Sequence, residues 1–220
     1  SLRWSATELE RREAVKSRTE AELKNLRNQL NPHFLLNTLN NIYALTAFDT
    51  EKAQQAIQEL SKLLRYVLYD NQETFVPLTK EVEFIQNYIE LMRIRVSSAV
   101  KINTNFQIRP DSQSPVAPLL FISLIENAFK HGISPTEPSF IDIMLTEKDD
   151  EIHCVIRNSN YPKNAMDKSG SGIGLEQVRK RLELLYAGRY EWHQQISSNQ
   201  KEYSSILTIK IPDNNKKILP

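Results

Sequence analysis

Little in this chain could cross-link it, anchor it in a membrane or draw it to a polyanion. Its 220 residues hold one cysteine, Cys154, so no internal disulfide can form and the lone thiol suits a reducing compartment. Only five glycines are present, which suits a helix-rich globular chain. No apolar run approaches the ~18 residues that would span a bilayer, and no signal peptide is visible, so the expectation is a chain soluble as given. Twenty-eight basic against twenty-seven acidic side chains leave a formal charge of +1, which removes any electrostatic argument for nucleic acid or an anionic membrane surface. No Cys/His cluster has zinc-site spacing, and there is no internal repeat. Cys154, in Ile152-His153-Cys154-Val155-Ile156, reads as a buried, inert thiol in a strand.

What is present falls into two unlike parts. Residues 1–30 are charged and free of glycine and proline, with Leu23, Leu26 and Leu30 spaced like a coiled-coil seam and Leu9 and Val15 extending it loosely. The chain opens in the middle of this helical pattern, which points to a missing upstream region. The simplest reading is a helix through Pro32 to about Phe48, then Asp49 and Thr50 capping a second helix striped by Ala53, Ile57, Leu60, Leu64 and Val67-Leu68. A hairpin of this kind leaves apolar surface uncovered, so pairing with a second copy into a four-helix bundle is expected. Asn71 to Pro77 reads as a linker, and Leu78 to Val96 as a third helix with Thr79 as a candidate cap.

Beyond it the pattern changes. Val100 to Ile108 alternates with period two, as a strand does; Leu119 to His131 is a strongly apolar helix stopped at Gly132. Two strands flank Lys148-Asp149-Asp150, Asn158 to Gly172 reads as a polar loop, Ile173 to Tyr186 as a helix, and a last hairpin closes the pattern near Ile211. Helices and mostly antiparallel strands in segregated order imply an α+β fold for residues 78–214.

Three stretches carry chemistry. Pro32 and His33 stand side by side within a helical pattern, and a proline in a helix interior costs roughly 3 kcal/mol. On the helical wheel His33, Asn37, Asn40, Asn41 and Ala44 form a narrow stripe beside a broad arc of Phe34, Leu35, Leu36, Leu39, Ile42, Tyr43 and Leu45. Asn31 as a cap with Pro32 in the first helical position would make His33 a surface detail beside a helix start. The second stretch is Glu126-Asn127-Ala128-Phe129-Lys130-His131-Gly132, in which Asn127, Lys130 and His131 share one helix face, suited to an anion or metal-phosphate or to a solvated stripe. The third is Ser169-Gly170-Ser171-Gly172-Ile173-Gly174-Leu175, opening a helix: glycines admit close approach to phosphate oxygens and the helix start offers free N–H groups. It matches neither a P-loop nor a dinucleotide fingerprint, yet it gathers three of the five glycines.

Taken together, Asn31 to Asn40, Glu126 to Gly132, Gly172-Ile173-Gly174-Leu175 and the following Arg181-Leu182-Glu183-Leu184-Leu185-Tyr186 resemble the LytS-type sensor histidine kinases of bacterial two-component systems, over roughly residues 20–212. The resemblance implies an α+β chain in which residues 1–72 form dimerisation and phosphotransfer helices, 73–77 a linker, 78–214 a GHKL (Bergerat-type) α/β-sandwich that binds ATP, and 215–220 a tail. It implies His33 as phospho-acceptor and Asn127 as the residue that holds magnesium on ATP. Lys130 and His131 would approach the phosphates, and Gly170, Gly172 and Gly174, with Ile173 and Leu175, would form the glycine box that ends the ATP lid. The implied cofactors are ATP and Mg2+. The implied partners are a second copy of the chain and the receiver domain of a response regulator, with no nucleic acid. Any membrane anchor would lie upstream, making this the cytoplasmic portion of an inner-membrane sensor.

Two departures from the family pattern stand out. Asp-x-Gly-x-Gly, whose aspartate reads the adenine amino group, is replaced by Arg157-Asn158-Ser159-Asn160; Asn158 can accept from that group but without charge assistance. The acidic residue that often follows the phospho-accepting histidine is Phe34. Asn37, one turn beyond His33, suits a water-orienting role in dephosphorylation, or simple solvation. A catalytically degenerate dimeric signalling module is the alternative. A purely hydrolytic ATPase is disfavoured because Ser123 stands where such enzymes carry a water-activating glutamate.

Overall fold

The computed structural model describes residues 2–28, 32–70, 73–161 and 173–211. Two helices come first, α1 (Leu2–Asn28) and α2 (Pro32–Thr46). Pro32 is the first described residue of α2, and the expected continuity of one helix through residues 29–31 lies outside the described residues. Asp49 then caps α3 (Thr50–Arg65), its carboxylate accepting from the Lys52 N–H at 3.1 Å, and a π-turn over Tyr66–Asp70 extends the helix.

α3 packs between α2 and the long α4 (Leu78–Arg95). Ala53, Ala56, Leu60 and Leu63 are buried, so small residues let the helices approach closely. On α2 the buried positions are Thr38 and Ile42, and the arc expected to be buried is largely open: Leu36, Leu39 and Tyr43 are 57, 47 and 81 % exposed. Ile57 on α3 is likewise 49 % exposed, and Leu9 and Val15 on α1 are 59 % exposed each.

The end of the expected linker is structured. Val76–Pro77 (β1) pairs antiparallel with Pro115–Val116 (β3), and the Leu78 N–H donates to Ser114 O at 2.9 Å. Pro77 precedes α4 as its cap residue, and Thr79 lies inside the helix with its hydroxyl donating to Ser112 O.

The main sheet has the order β2-β4-β5-β7-β6, with β2 (Val100–Gln107), β4 (Ser139–Lys148), β5 (Glu151–Ser159), β6 (Tyr190–Ile196) and β7 (Glu202–Lys210). Only β2 and β4 are parallel, and the helix between them, α5 (Leu120–His131), is the crossover that parallel neighbours require. α6 (Ile173–Tyr186) packs beside α5. The fold is thus α+β, a mixed sheet with helices on one face. Ile141, Ile143, Leu145, Ile152, Cys154, Ile156, Leu207 and Ile209 point to that face and are at most 2 % exposed. The other face shows Met144, Val155 and Ile206 among polar residues. Burial pushes the Cys154 thiol up to about 12, which keeps it protonated and inert. No helix among the described residues is long and apolar enough to cross a membrane.

Candidate nucleotide site

α5 is amphipathic in the way its sequence requires. Phe121, Ile122, Leu124, Ile125, Ala128 and Phe129 are buried, and Ser123, Glu126, Asn127, Lys130 and His131 are half-buried on the other side. Asn127, Lys130 and His131 thus share a face that is neither core nor open surface. Burial also pushes the neighbouring Glu126 carboxyl up to about 7. Ser123 donates its hydroxyl to Leu119 O at 3.3 Å, one turn back on its own helix.

The end of α5 is stitched to the end of β5. The Ser159 hydroxyl donates to Gly132 O at 2.5 Å, and the Tyr161 N–H donates to His131 O at 3.0 Å. Gly132 closes the helix with φ −94°, so it is not needed for a left-handed turn. It is needed for space: a Cβ there would lie 2.5 Å from Ala128 O, 3.0 Å from Asn158 Cβ and 3.1 Å from Asn158 Nδ2. The glycine lets Asn158 press against the last turn of the helix that carries Asn127.

Asn158 is not in a loop. β5 continues through Ser159, with Asn158 opposite Ile141 on β4 and Tyr203 on β7. Residues 152, 154, 156 and 158 alternate onto the buried face, and the asparagine is the polar end of that row, fully buried. Reading the alternation two residues further in the sequence would have found this. Its Nδ2 donates to Ser159 O at 2.8 Å, whereas its Oδ1 is buried and has no partner among the described residues. A buried acceptor without a donor costs roughly 1–3 kcal/mol, so it points to a ligand donor.

α6 is described from Ile173 on, and the N–H groups of a first helical turn are of the kind that suits an anion. Among the described residues nothing lies within 4 Å of a Cβ built on Gly174, and Leu175 is half-buried against the core. Gly170 and Gly172 lie outside the described residues, as does most of the expected lid. His33 is the second residue of α2, and Asn37, one turn on, is exposed. The two therefore belong to the helical hairpin, while Asn127, Lys130, His131 and Asn158 gather around the end of α5.

Glu81 and Tyr66, which sequence reasoning passed over, hold the start of α5 together with Arg181 and Tyr186. Leu119 has φ 63°, a left-handed conformation costly for a branched side chain. Three consecutive residues are gripped there. The Ala117 N–H donates to the Tyr186 hydroxyl at 2.9 Å, Pro118 O accepts from Arg181 Nη2 at 2.5 Å, and the Leu119 N–H donates to both oxygens of Glu81 at 3.1 and 3.0 Å. Tyr66, at the end of α3, donates its hydroxyl to the same Glu81 carboxylate. Glu81 is fully buried and Arg181 is 5 % exposed. Burial raises the Glu81 carboxyl; the Tyr66 and Leu119 hydrogen bonds and the Arg181 charge recover part of this and leave it at about 7. The sequence carried a signal: Glu81 sits on the stripe of Leu78, Val82, Ile85 and Ile89, a carboxylate on the apolar face of α4.

The chain is similar to several known proteins. Residues 21–100 match the histidine kinase family model. The chain is 30 % identical over 96 % of its length to the sensor protein LytS of Oceanobacillus iheyensis, and covers 38 % of that protein. It is 31 % identical over 76 % of its length to the sensor histidine kinase YpdA of Escherichia coli, covering 31 % of it. With the sensor protein kinase HptS of Staphylococcus aureus the identity is 27 % over 88 % of the chain, which covers 38 % of that protein. The chain therefore spans less than two-fifths of the length of these relatives.

Proposed function

We propose that the chain, which belongs to the LytS-type family of sensor histidine kinases, is the module that moves the γ-phosphoryl group of ATP to His33 and from there to an aspartate of a response-regulator receiver domain. The observation that carries this reading is the pairing of Asn158 with the end of α5. A buried, unpartnered Oδ1 offers an acceptor for the adenine amino group, pressed by Gly132 against the helix whose face bears Asn127, Lys130 and His131. Asn127 would hold magnesium on the nucleotide, Lys130 and His131 would approach the phosphates, and the α6 start with Gly170, Gly172, Ile173, Gly174 and Leu175 would close over them. Magnesium bound there supplies charge neutralisation on the phosphate oxygens.

In the transfer, the unprotonated ring nitrogen of His33 forms a bond to the γ-phosphorus as the bond to the bridging oxygen breaks. ADP takes that bond's electron pair, and the proton on the other ring nitrogen passes to solvent. A neutral imidazole needs no strong base for this, so Phe34 after His33 is tolerated and catalysis rests on positioning. Residues 1–72 serve dimerisation and phosphotransfer, and 78–214 serve nucleotide binding. The homodimer is supported by Leu36, Leu39 and Tyr43, spaced at i, i+3 and i+7 along one exposed stripe of α2, together with Ile57 on α3. Asn37, exposed one turn from His33, orients water for dephosphorylation. An anchor in the inner membrane belongs to an upstream region.

Incubation with Mg-ATP labelled at the γ-phosphate should yield an acid-labile, alkali-stable phosphoprotein, absent from His33→Gln. Label persisting in that variant would overturn the assignment. The replacement of the usual aspartate by Asn158 favours, as a second reading, a module that signals without catalysis; failure to bind millimolar Mg-ATP in a titration would select it.

A further inference from the structure

The turn that launches α5 is held at three consecutive residues by side chains of α4 and α6, and these side chains lie at the opposite end of α5 from Asn127, Lys130 and His131. Ala117, Pro118 and Leu119 are buried, and α4 and α6 grip them from two sides through Glu81, Arg181 and Tyr186. Leu119 is held left-handed, a conformation it would leave if its N–H lost its acceptors. α5 is a single uninterrupted helix, so a change of direction at Leu119 is carried to Asn127, about two turns and roughly 12 Å further along. Glu81 is also where the helical hairpin reaches this turn. Tyr66 belongs to the end of α3, stacks on Phe84 of α4 at 4.7 Å between ring centroids, and donates its hydroxyl to the carboxylate that holds Leu119.

We propose that Glu81 and Tyr66 are positioning residues for the nucleotide helix: the chain from the Tyr66 hydroxyl through the Glu81 carboxylate to the Leu119 amide sets the aim of α5 and ties it to the end of the helix following His33's own. A shift at the end of α3 is thereby converted into a shift of Asn127, Lys130 and His131 without any contact between Tyr66 and the nucleotide. The inference rests on the nucleotide-binding reading of α5.

The test compares the whole chain with its Glu81→Gln, Tyr66→Phe and Glu147→Gln variants, the last removing a buried charge elsewhere in the same sheet domain. Two quantities are read in each: the Mg-ATP dissociation constant, and the hydrogen-exchange rate of the Leu119 amide relative to core amides of β4. Glu81→Gln should weaken Mg-ATP binding about tenfold, the size expected for a lost charge-assisted hydrogen bond, and speed Leu119 exchange selectively. Tyr66→Phe should move both in the same direction, by about threefold. Glu147→Gln should lower the melting temperature and change neither. Thermal destabilisation by Glu81→Gln and Tyr66→Phe, with Mg-ATP affinity and relative Leu119 exchange unchanged, overturns the proposal. Should Glu81→Gln not fold, Tyr66→Phe decides by the same two readouts. If the unsubstituted chain binds no Mg-ATP, the nucleotide reading itself fails, and selective Leu119 exchange still decides whether the clamp exists.

Discussion

Two buried carboxylates hold the two ends of one connection, and their surroundings move their pKa in opposite directions. The segment from β2 to α5 is gripped at its start by Glu147 on β4. One oxygen of Glu147 accepts from the Arg109 N–H at 3.1 Å and Arg109 Nε at 2.8 Å, the other from the Ser112 and Ser114 hydroxyls at 2.5 and 2.6 Å. The same segment is gripped at its end by Glu81 on α4. Burial raises the Glu147 carboxyl, but hydrogen bonds from Arg109, Ser112 and Ser114 outweigh it and hold the group at about 2. Glu81 has a phenol, one amide and a more distant guanidinium, and these do not outweigh its burial. Burial sets the penalty for a buried charge, and the number and charge of its donors set the outcome. The carboxyl held at about 2 stands at the far end of the connection; the one raised to about 7 stands where the end of α3, the start of α5 and α6 meet.

Truncation should separate the two most. Glu81→Ala removes the acceptor of the buried Leu119 N–H and of the Tyr66 hydroxyl bond and should cost about 3–5 kcal/mol in denaturant unfolding. A loss below about 1 kcal/mol would mean that water or a neighbouring group replaces the carboxylate.

Next in size is the pH dependence, where the two should have opposite signs. Glu81 binds its proton more tightly folded than unfolded, so its contribution is fully present below about 4.5 and is lost as pH rises through about 7. Glu126 moves the same way, so Glu81→Gln should remove part of this decline, on the order of 1–3 kcal/mol. Glu147 is the reverse: its contribution is present above about 4.5 and lost as pH falls through about 2, and Glu147→Gln should flatten only that acid limb. Unfolding free energy measured across pH for both variants checks the signs, and a shared slope would erase the contrast.

The smallest effect should come from Glu147→Ala. Arg109 is 66 % exposed and can return to water, and Ser114 is half-buried, so only the buried Ser112 hydroxyl is left to find a new partner; about 1–2 kcal/mol should be lost, with Mg-ATP affinity unchanged.

How far the site could be read ahead of the structure follows from the same contrast between near and distant partners. The helix α6 ends at Tyr186 as its periodicity implies, and the turn at Lys148-Asp149-Asp150 joins β4 to β5 with Asp149 at φ 56°, which a short polar side chain tolerates. The common face of Asn127, Lys130 and His131 follows from helical spacing alone. Asn158 was misread because its polarity and the following run suggest a loop, whereas pairing with β4 and β7 on both sides keeps the strand going through Ser159. The exposed arc of α2 was expected to be buried because a wheel reports which residues are apolar and not what covers them.

By itself the sequence determined the main helices, most of the extent of the main-sheet strands, the order of the motifs and the residue types that chemistry on a phosphate would use, because each is written within a few turns or strand repeats. Tertiary structure alone decided that Asn158 lies against Gly132 and that Glu81 holds Leu119. Those contacts join residues 26 and 38 apart in the chain (158 − 132 and 119 − 81), and no local period brings such positions together. They depend on β5 lying between β4 and β7 and on α4 and α6 closing over one buried turn.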